Sequence, residues 1–253
     1  QDPSLDAPNP SPTMFTLSPF RNPDPPDIAR LWNEQPPQRG LVRHLSPTAF
    51  EQTVLSKPYF DREGLIIASR DGQTVGFVHA GFGPSQDERA IDCQLGTTCM
   101  VMTSTAEAHS TLAADLLDRS ESYLKSHGSQ VLYGGAVGQL APFYLGLYGG
   151  SEMPGILASD ELRQKIFHEG GYGEIDRVEV LHGRIDAFRP PVNRQQLQLR
   201  RTIEVVAEYD PHCPTWWQAC TTGSAERLQF HAIAKGDARV LASATFWDLE
   251  PLT

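Results

Sequence analysis

The sequence has little cysteine, an excess of acidic over basic side chains and no long hydrophobic run. Its four cysteines among 253 residues form no C-x-x-C pair and have no histidines at zinc-ligand spacing, so we expect neither a disulfide framework nor a metal site. We predict reduced cysteines and a cytoplasmic location. The formal net charge of −10 argues against nucleic acid or a membrane surface as the main partner. No apolar stretch approaches the ~20 residues that cross a bilayer.

Two segments of the chain repeat one pattern. Residues 64–83 read GLIIASRDGQTVGFVHAGFG, and residues 227–246 read RLQFHAIAKGDARVLASATF. Each has an apolar run, a turn in which a charged residue precedes Gly72 or Gly236, and a second apolar run, which predicts a β-hairpin. The two hairpins stand about one domain length apart. The sequence therefore predicts one complete domain followed by the opening of a second copy.

Composition sets the expected domain boundaries. Residues 1–12 are polar and rich in proline, which is typical of a flexible tail. Two consecutive prolines and a run of glutamine and arginine predict a linker at 188–196. We therefore expect a first domain at 13–187 and the N-terminal part of a second at 197–253. The hydrophobic content of 40% is enough for a substantial core.

Hydrophobic periodicity and helix-capping residues predict the order of elements, with Ser46 as the cap of one helix and Ser159 or Asp160 as the cap of another. In the first domain the order is strand, two helices, hairpin, long strand, helix, strand, helix and strand. These fall at 14–20, 28–35, 46–55, 64–83, 90–102, 104–127, 130–133, 161–170 and 174–185, with a glycine-rich loop at 134–158. In the second part, a strand or paired strands at 197–208 and a short helix at 214–223 precede the hairpin. Trp216 and Trp217 in that helix are expected to pack in a core at the start of the second copy.

This order resembles the GNAT-type N-acetyltransferase superfamily. Three places carry the resemblance: the hairpin with Gly76-Phe77, the strand 95–102 running into the helix 104–127, and the ending FHEGGY at 167–172 followed by the strand at 178–181. The resemblance implies an α/β (α+β) fold with a mixed, twisted central sheet flanked by helices. The second copy is similar to the tandem arrangement of mycothiol synthase.

The resemblance also implies an activity and a co-substrate. Such an enzyme moves an acetyl group from acetyl-coenzyme A (acetyl-CoA) to an amine of a small molecule or peptide. In the family, the backbone of the long strand pairs with the pantetheine arm, and the matching residues are Met100, Val101 and Met102. A glycine-rich loop before the central helix binds the pyrophosphate. The residues matching that loop are His109, Ser110, Thr111, Leu112 and Ala113, and none is glycine.

The resemblance further implies a catalytic acid and base. Tyr144 and Tyr148, in the glycine-rich loop, match the region of the family's tyrosine acid, although aromatic residues between glycines also pack loops. The candidate bases are Asp92 and Glu107, followed by His79 and His109. Each of these four is also an ordinary structural or solvated side chain, so the base is left open.

Two other functions compete with acetyl transfer. The absent glycines at 109–113 favour a non-catalytic module that senses a ligand or dimerises through the 134–158 loop, and a homodimer is left open. A hydrolase that uses Ser151 or Cys99 lacks a G-x-S-x-G motif and has little support.

Overall fold

The structure is a computed structural model that describes residues 15–107, 111–138, 140–150, 154–179, 193–223, 225–236 and 238–248, together with 181, 183, 184, 186 and 188–190. Its strands are β1 (Thr16–Pro19), β2 (Leu65–Arg70), β3 (Gln73–Pro84), β4 (Ile91–Thr103), β5 (Val131–Gly134), β6 (Ala136–Val137), β7 (Pro154–Gly155), β8 (Ile203–Tyr209), β9 (Arg227–Ala234) and β10 (Val240–Trp247). Its α-helices are α1 (Pro25–Asn33), α2 (Pro47–Phe50), α3 (Leu112–Ser126), α4 (Glu161–Glu169), α5 (Arg194–Thr202) and α6 (Trp216–Thr222). Among the described residues, none of the helices is both long and apolar enough to cross a membrane.

A five-stranded sheet forms the centre of the first part of the chain. Its order is β1-β2-β3-β4-β5, antiparallel except for the parallel pair β4–β5. The β2–β3 turn places Asp71 at φ +52° and Gly72 at φ +77°. Two consecutive positive φ values match the right-handed twist of a hairpin, so the sequence pattern Asp-Gly determines this turn. The first predicted hairpin is confirmed.

The two faces of this sheet are covered by different helices. On one face Ile28, Leu31 and Trp32 of α1 pack with Phe77 of β3 in the larger core. α2 begins as the sequence predicts: the Ser46 hydroxyl accepts a hydrogen bond from the Ala49 amide at 3.0 Å. On the other face, apolar side chains of α3 and α4 pack against β2, β3 and β4. The sheet is therefore apolar on both sides, as a fully covered sheet requires.

A second, three-stranded sheet repeats the opening of the first. Its order is β10-β9-β8 and all its pairs are antiparallel. Helix α6 lies between β8 and β9 in the chain, just as α1 and α2 lie between β1 and β2. The second predicted hairpin, β9–β10, is confirmed. No side chain of these three strands is fully buried among the described residues.

Helix α6 packs against the first part of the chain. Trp217 is 4% exposed, its ring stacks on Tyr59 with centroids 4.9 Å apart, and its amide donates to the Glu88 carbonyl at 3.1 Å. The Lys57 ammonium donates to the carbonyls of Cys220 and Thr221 at 2.8 and 3.0 Å. Trp217 is buried, as predicted, but against the first part of the chain and not in a core of the second copy, and Trp216 is 37% exposed.

The strand prediction at 174–185 is wrong, and the one at 197–208 is confirmed from Ile203 onward, as β8, but wrong before it. The described part of the predicted strand 174–185 has no regular structure: its side chains at 174–179 are exposed, and Arg177 pairs locally with Glu174 at 3.1 Å. A strand needs a neighbour for its backbone hydrogen bonds, and this segment has none among the described residues. The region 197–208 is helical up to Thr202, because Asn193 caps α5 by accepting from the Gln196 amide at 2.8 Å.

Candidate functional site

The most distinctive feature of the first sheet is the point where its two parallel strands separate. β4 and β5 pair from Leu95–Val131 to Thr98–Gly134. The chain then turns away at Gly135, whose φ is +83°, while β4 continues to Thr103. A side chain at Gly135 would lie 2.8 Å from the Gly155 carbonyl carbon, so glycine is needed there. The two strands diverge from there, and we call the space between them the cleft; the edge of β4 that borders it has no strand partner among the described residues.

A β-bulge lies at the mouth of this cleft. In the pairing of β3 with β4, His79 faces Met100 and Ala80 faces Thr98, so Cys99 is the extra residue. Such a bulge bends the strand and increases its twist. Burial raises the pKa of the Cys99 thiol well above its usual range. Cys99 is therefore a protonated, inert thiol, which counts against its use as a nucleophile.

Arg163 of α4 occupies the cleft. Its Nε donates to the Val101 carbonyl at 2.7 Å, and its guanidinium pairs with the Asp160 carboxylate. The guanidinium carbon also lies 5.3 Å from the centre of the Tyr148 ring. Arg163 is only 5% exposed, so the pair is held by hydrogen bonds in a low-dielectric setting. The free edge of β4 is thus satisfied by a side chain.

The residues predicted to contact pantetheine lie on this edge. The side chains of Met100, Val101 and Met102 are all buried in the two cores, so only their backbone faces the cleft. Of that backbone, the Val101 carbonyl is the acceptor that Arg163 uses. The pantetheine contact stays a prediction, and of the three residues' backbone groups the Val101 carbonyl already accepts a hydrogen bond from Arg163.

The predicted pyrophosphate loop is only partly described. His109 and Ser110 lie outside the described residues. Thr111 stands at the start of α3 and donates its hydroxyl to Asp115 at 3.3 Å, while Leu112 and Ala113 are buried. An aspartate in the first turn stabilises the helix dipole but repels a phosphate. The cofactor roles of these residues stay predictions.

The two predicted catalytic tyrosines lie in the core and not at the surface. The Tyr144 hydroxyl is 2.9 Å from His79 Nδ1, and its ring stacks on Trp32. The Tyr148 hydroxyl donates to Asp160 at 3.1 Å and accepts from the Leu157 amide at 2.9 Å. Burial raises the pKa of both tyrosines. Tyr148 is brought to Arg163 at the cleft, and Tyr144 is brought to His79.

The candidate bases are dispersed. Desolvation lowers the pKa of fully buried His79 to about 3, so this imidazole is neutral at physiological pH. Glu107 is buried and forms an ion pair with Arg70. Asp92 accepts from the Gln94 amide at 2.9 Å. His109 lies outside the described residues. The described residues therefore place no candidate base beside Tyr148.

The sequence left Ser159 and Asp160 open as the cap of α4, gave Asp160 no other role and did not indicate Arg163. The cap is confirmed, since the Asp160 carboxylate accepts from the Arg163 amide at 3.3 Å. The available sequence feature was an arginine one turn before Phe167, on the apolar side of a short helix. An arginine at such a position must find a buried partner, which here is a strand backbone and a carboxylate.

Comparison with known proteins relates the fold to one family of structures. No protein-family model and no curated protein sequence matches the chain. Among solved structures, a GCN5-related glucosamine N-acetyltransferase region in a fungal multi-domain GH3 β-N-acetylglucosaminidase aligns over 96% of this chain, with 15% identity and a TM-score of 0.64. The alignment covers 29% of the fungal chain.

An aminoglycoside 6'-N-acetyltransferase from Acinetobacter haemolyticus aligns over 68% of this chain and 99% of its own, with 16% identity and a TM-score of 0.42. The fungal likeness shows the fold: a mixed, twisted sheet flanked by helices, as in the GCN5-related (GNAT) N-acetyltransferases. The predicted fold class is confirmed.

Proposed function

We propose that this protein is an acetyl-CoA-dependent N-acetyltransferase that acts on an amine of a small molecule or peptide. The observation that carries the proposal is the cleft between the diverging strands β4 and β5, in a chain with the fold of such enzymes. In the reaction, the amine nitrogen attacks the thioester carbonyl and the coenzyme thiolate leaves. The amine loses one proton to a base, and the thiolate takes one from an acid.

The donor would lie along the free edge of β4. Its pantetheine amide would use the backbone of Met100, Val101 and Met102, an edge-strand mode of recognition. Its pyrophosphate would lie at the start of α3, near Thr111. Tyr148 is then the better placed of the two predicted acids, since it borders the cleft through Arg163.

The choice of the amine acceptor rests on the similarity to the fungal structure. That structure is of a glucosamine N-acetyltransferase region, and it aligns with nearly the whole chain, including both sheets. We therefore propose an amino sugar as the first acceptor to test.

The matching strand order of the two sheets supports a tandem arrangement similar to mycothiol synthase, with domains at 13–187 and 197–253 joined by the linker 188–196. The free cysteines support a cytoplasmic location.

A second candidate function is a non-catalytic ligand-sensing or dimerisation module. The hydrogen bond from Arg163 to the Val101 carbonyl favours it. If that contact is permanent, the first copy holds no donor and serves as a scaffold for the second.

Isothermal titration of acetyl-CoA, with coenzyme A alongside, separates the two functions. We expect the 253-residue chain to bind acetyl-CoA with a dissociation constant in the micromolar range, about −7 to −8 kcal/mol. Arg163→Met should bind more tightly, because the Val101 carbonyl is released, while Lys165→Met on the exposed side of α4 should not differ from wild type.

Release of free thiol in the presence of glucosamine then measures turnover. Absence of acetyl-CoA binding by both wild type and Arg163→Met would rule out the first copy as the donor site and support the scaffold function.

A further inference from the structure

The outer strand of the second sheet, β10, has an open edge. On one side β10 pairs with β9, and on the other it has no strand partner among the described residues. In the first sheet the matching strand is β3, the second strand of the first hairpin, and it is paired on both sides, by β2 and by β4. An unpaired edge presents a row of amide and carbonyl groups to which another strand can bind.

The hydrogen-bond pattern shows which backbone groups of β10 reach this edge. Just past the end of the strand, the Asp248 amide donates to the Glu226 carbonyl at 2.9 Å. Hydrogen-bonded and non-bonded pairs alternate along an antiparallel ladder, so every second residue back from Asp248, including Ala244, directs its amide and carbonyl toward β9. Ser243 and Thr245 therefore direct theirs toward the open edge.

The sequence of β10 does not protect this edge with charge or with proline. Its eight residues, VLASATFW, include neither, although both are common protections of an exposed strand. A β-bulge between Val240 and Ala242 interrupts the ladder at one end, so the regular edge runs from Ala242 to Trp247. Over that length the strand offers uncharged side chains and unpaired backbone to a neighbour.

The other outer strand of the same sheet, β8, differs in this respect. It carries two acidic residues, Glu204 and Glu208. Antiparallel pairing of two β8 strands about Val206 would place these like charges opposite one another, which is destabilising. Of the two outer strands, β10 is therefore the one that is suited to pair with its own copy.

The residue pattern of β10 is complementary to itself. Antiparallel pairing with Ala244 opposite Ala244 of a second molecule places Ser243 opposite Thr245, so the outward-directed backbone groups meet in hydrogen-bonded pairs. Phe246, which is 56% exposed, then lies opposite Ala242, whose small side chain leaves room for the ring. Such a pairing uses the same surface on both molecules, so it closes as a dimer and does not extend into a filament.

We propose that β10 is the interface of a homodimer, in which the three-stranded sheets of two molecules join into one six-stranded sheet. The occupant of the open edge is thus a second molecule of this chain. Joining brings a sheet of three strands to the size common in folded proteins, ~4–6 strands. The inference concerns assembly and does not depend on acetyl transfer.

Sedimentation velocity of the full 253-residue chain over a concentration series tests the interface. We expect a reversible monomer–dimer equilibrium with a dissociation constant in the micromolar range. Two exposed alanines provide matched variants, since Ala207 of β8 and Ala244 of β10 both lie opposite Phe230 of β9 on one face of the sheet.

The two variants should behave differently. Ala244→Lys should weaken the dimer at least tenfold, because it places two like charges opposite one another at the interface. Ala207→Lys, which adds the same charge at the other edge of the sheet, should leave the dissociation constant unchanged. Circular dichroism checks that each variant keeps its secondary structure.

Opposite charges should restore the dimer. Ala244→Glu alone should be as defective as Ala244→Lys, for the same reason. An equimolar mixture of the two variants should form a heterodimer about as tightly as the wild type, because the lysine of one molecule then meets the glutamate of the other. Such a recovery requires both variants to be folded and position 244 to lie at the interface.

Three results would overturn the inference: a wild-type chain that stays monomeric well above micromolar concentrations, an equal loss of the dimer in Ala207→Lys and Ala244→Lys, or a mixture of the two charge variants that stays monomeric. Association into larger species that Ala244→Lys leaves unchanged would overturn it as well. None of these results bears on acetyl-CoA binding or turnover, so the proposed function stands or falls separately.

Discussion

At the residue scale, the stability of the fold depends on buried polar side chains. The sequence pattern alone does not distinguish these side chains from polar side chains at the surface. Arg163, Asp160 and Tyr148 form one hydrogen-bonded group where β4 and β5 diverge. Breaking a buried ion pair leaves one uncompensated charge, which costs more than removing both charges together. The same group determines whether the edge of β4 is open to a ligand.

Loss of the Arg163 side chain should therefore destabilise the protein strongly. We expect Arg163→Ala to lower the free energy of unfolding by about 3 kcal/mol, because Asp160 stays buried without its partner. The double variant Arg163→Met with Asp160→Asn should lose less, about 1 kcal/mol. Urea denaturation measures both, and Lys165→Ala, whose pair with Glu169 is exposed at 3.8 Å, is the control with a loss below about 0.5 kcal/mol. Equal losses for the single and double variants would show that the charge pairing is unimportant.

His79 should make stability depend on pH. Its folded pKa of about 3 lies below the ~6.5 of an unfolded histidine, so below pH ~6.5 the unfolded state binds more protons. Stability should rise with pH between about 3 and 6.5, by about 1.4 kcal/mol per pH unit from this group. Denaturant unfolding at several pH values measures it, with His79→Gln, which keeps a partner for the Tyr144 hydroxyl, as the comparison. A slope that His79→Gln leaves unchanged would assign the effect to other groups.

At the element scale, helix ends connect the two parts of the chain. The Lys57 ammonium binds the last carbonyls of α6, where a helix carries its partial negative charge. Burial lowers the Lys57 pKa, and these carbonyl contacts stabilise the charged form. Short helices such as α6 are not stable by themselves in water, so this contact and the Tyr59–Trp217 stacking hold it in place.

Removing the Lys57 ammonium should loosen α6 selectively. We expect Lys57→Met to increase the rate of amide hydrogen exchange in residues 216–222 about tenfold, with little change in the five-stranded sheet. A tenfold increase corresponds to a loss of about 1.4 kcal/mol in the free energy of local opening of α6. Mass-spectrometric hydrogen exchange reports both regions at once. Lys125→Met, which removes an exposed ion pair with Glu121 on α3, is the matched control. Unchanged exchange in α6 would mean that Trp217 alone anchors it.

At the scale of the whole molecule, two sheets begin in the same way but end differently. The first has helices over both faces and an apolar core on each side. The second has a face of mixed polarity, on which Val206 lies opposite His231, and an exposed apolar face that includes Val205 and Phe246. This asymmetry separates a first sheet that is packed on both faces from a second sheet whose side chains are at most partly buried in the described part of the chain.

Local patterns determined much of the architecture. Alternating apolar residues around Asp71-Gly72 and around Lys235-Gly236 predicted both hairpins, since turn chemistry and period-two patterning are local properties. Ser46 and Asp160 predicted two helix starts for the same reason. The prediction failed at 174–185 and at 197–202. A strand depends on a distant partner in the first case, and Asn193 and the helix-forming residues after it outweigh the apolar alternation in the second.

Of the candidate site, the sequence predicted strand β4 but not the side chains that meet at its edge. The sequence by itself determined the order of elements, the two hairpins and hence the fold class, because propensity, capping and turn residues act over a few positions. Only the tertiary structure decided that Arg163 binds the Val101 carbonyl of β4, that Tyr144 and Tyr148 are buried, and that Trp217 of α6 stacks on Tyr59. Each of these depends on which residues far apart in the chain meet, and on the desolvation and hydrogen bonding that follow when they do.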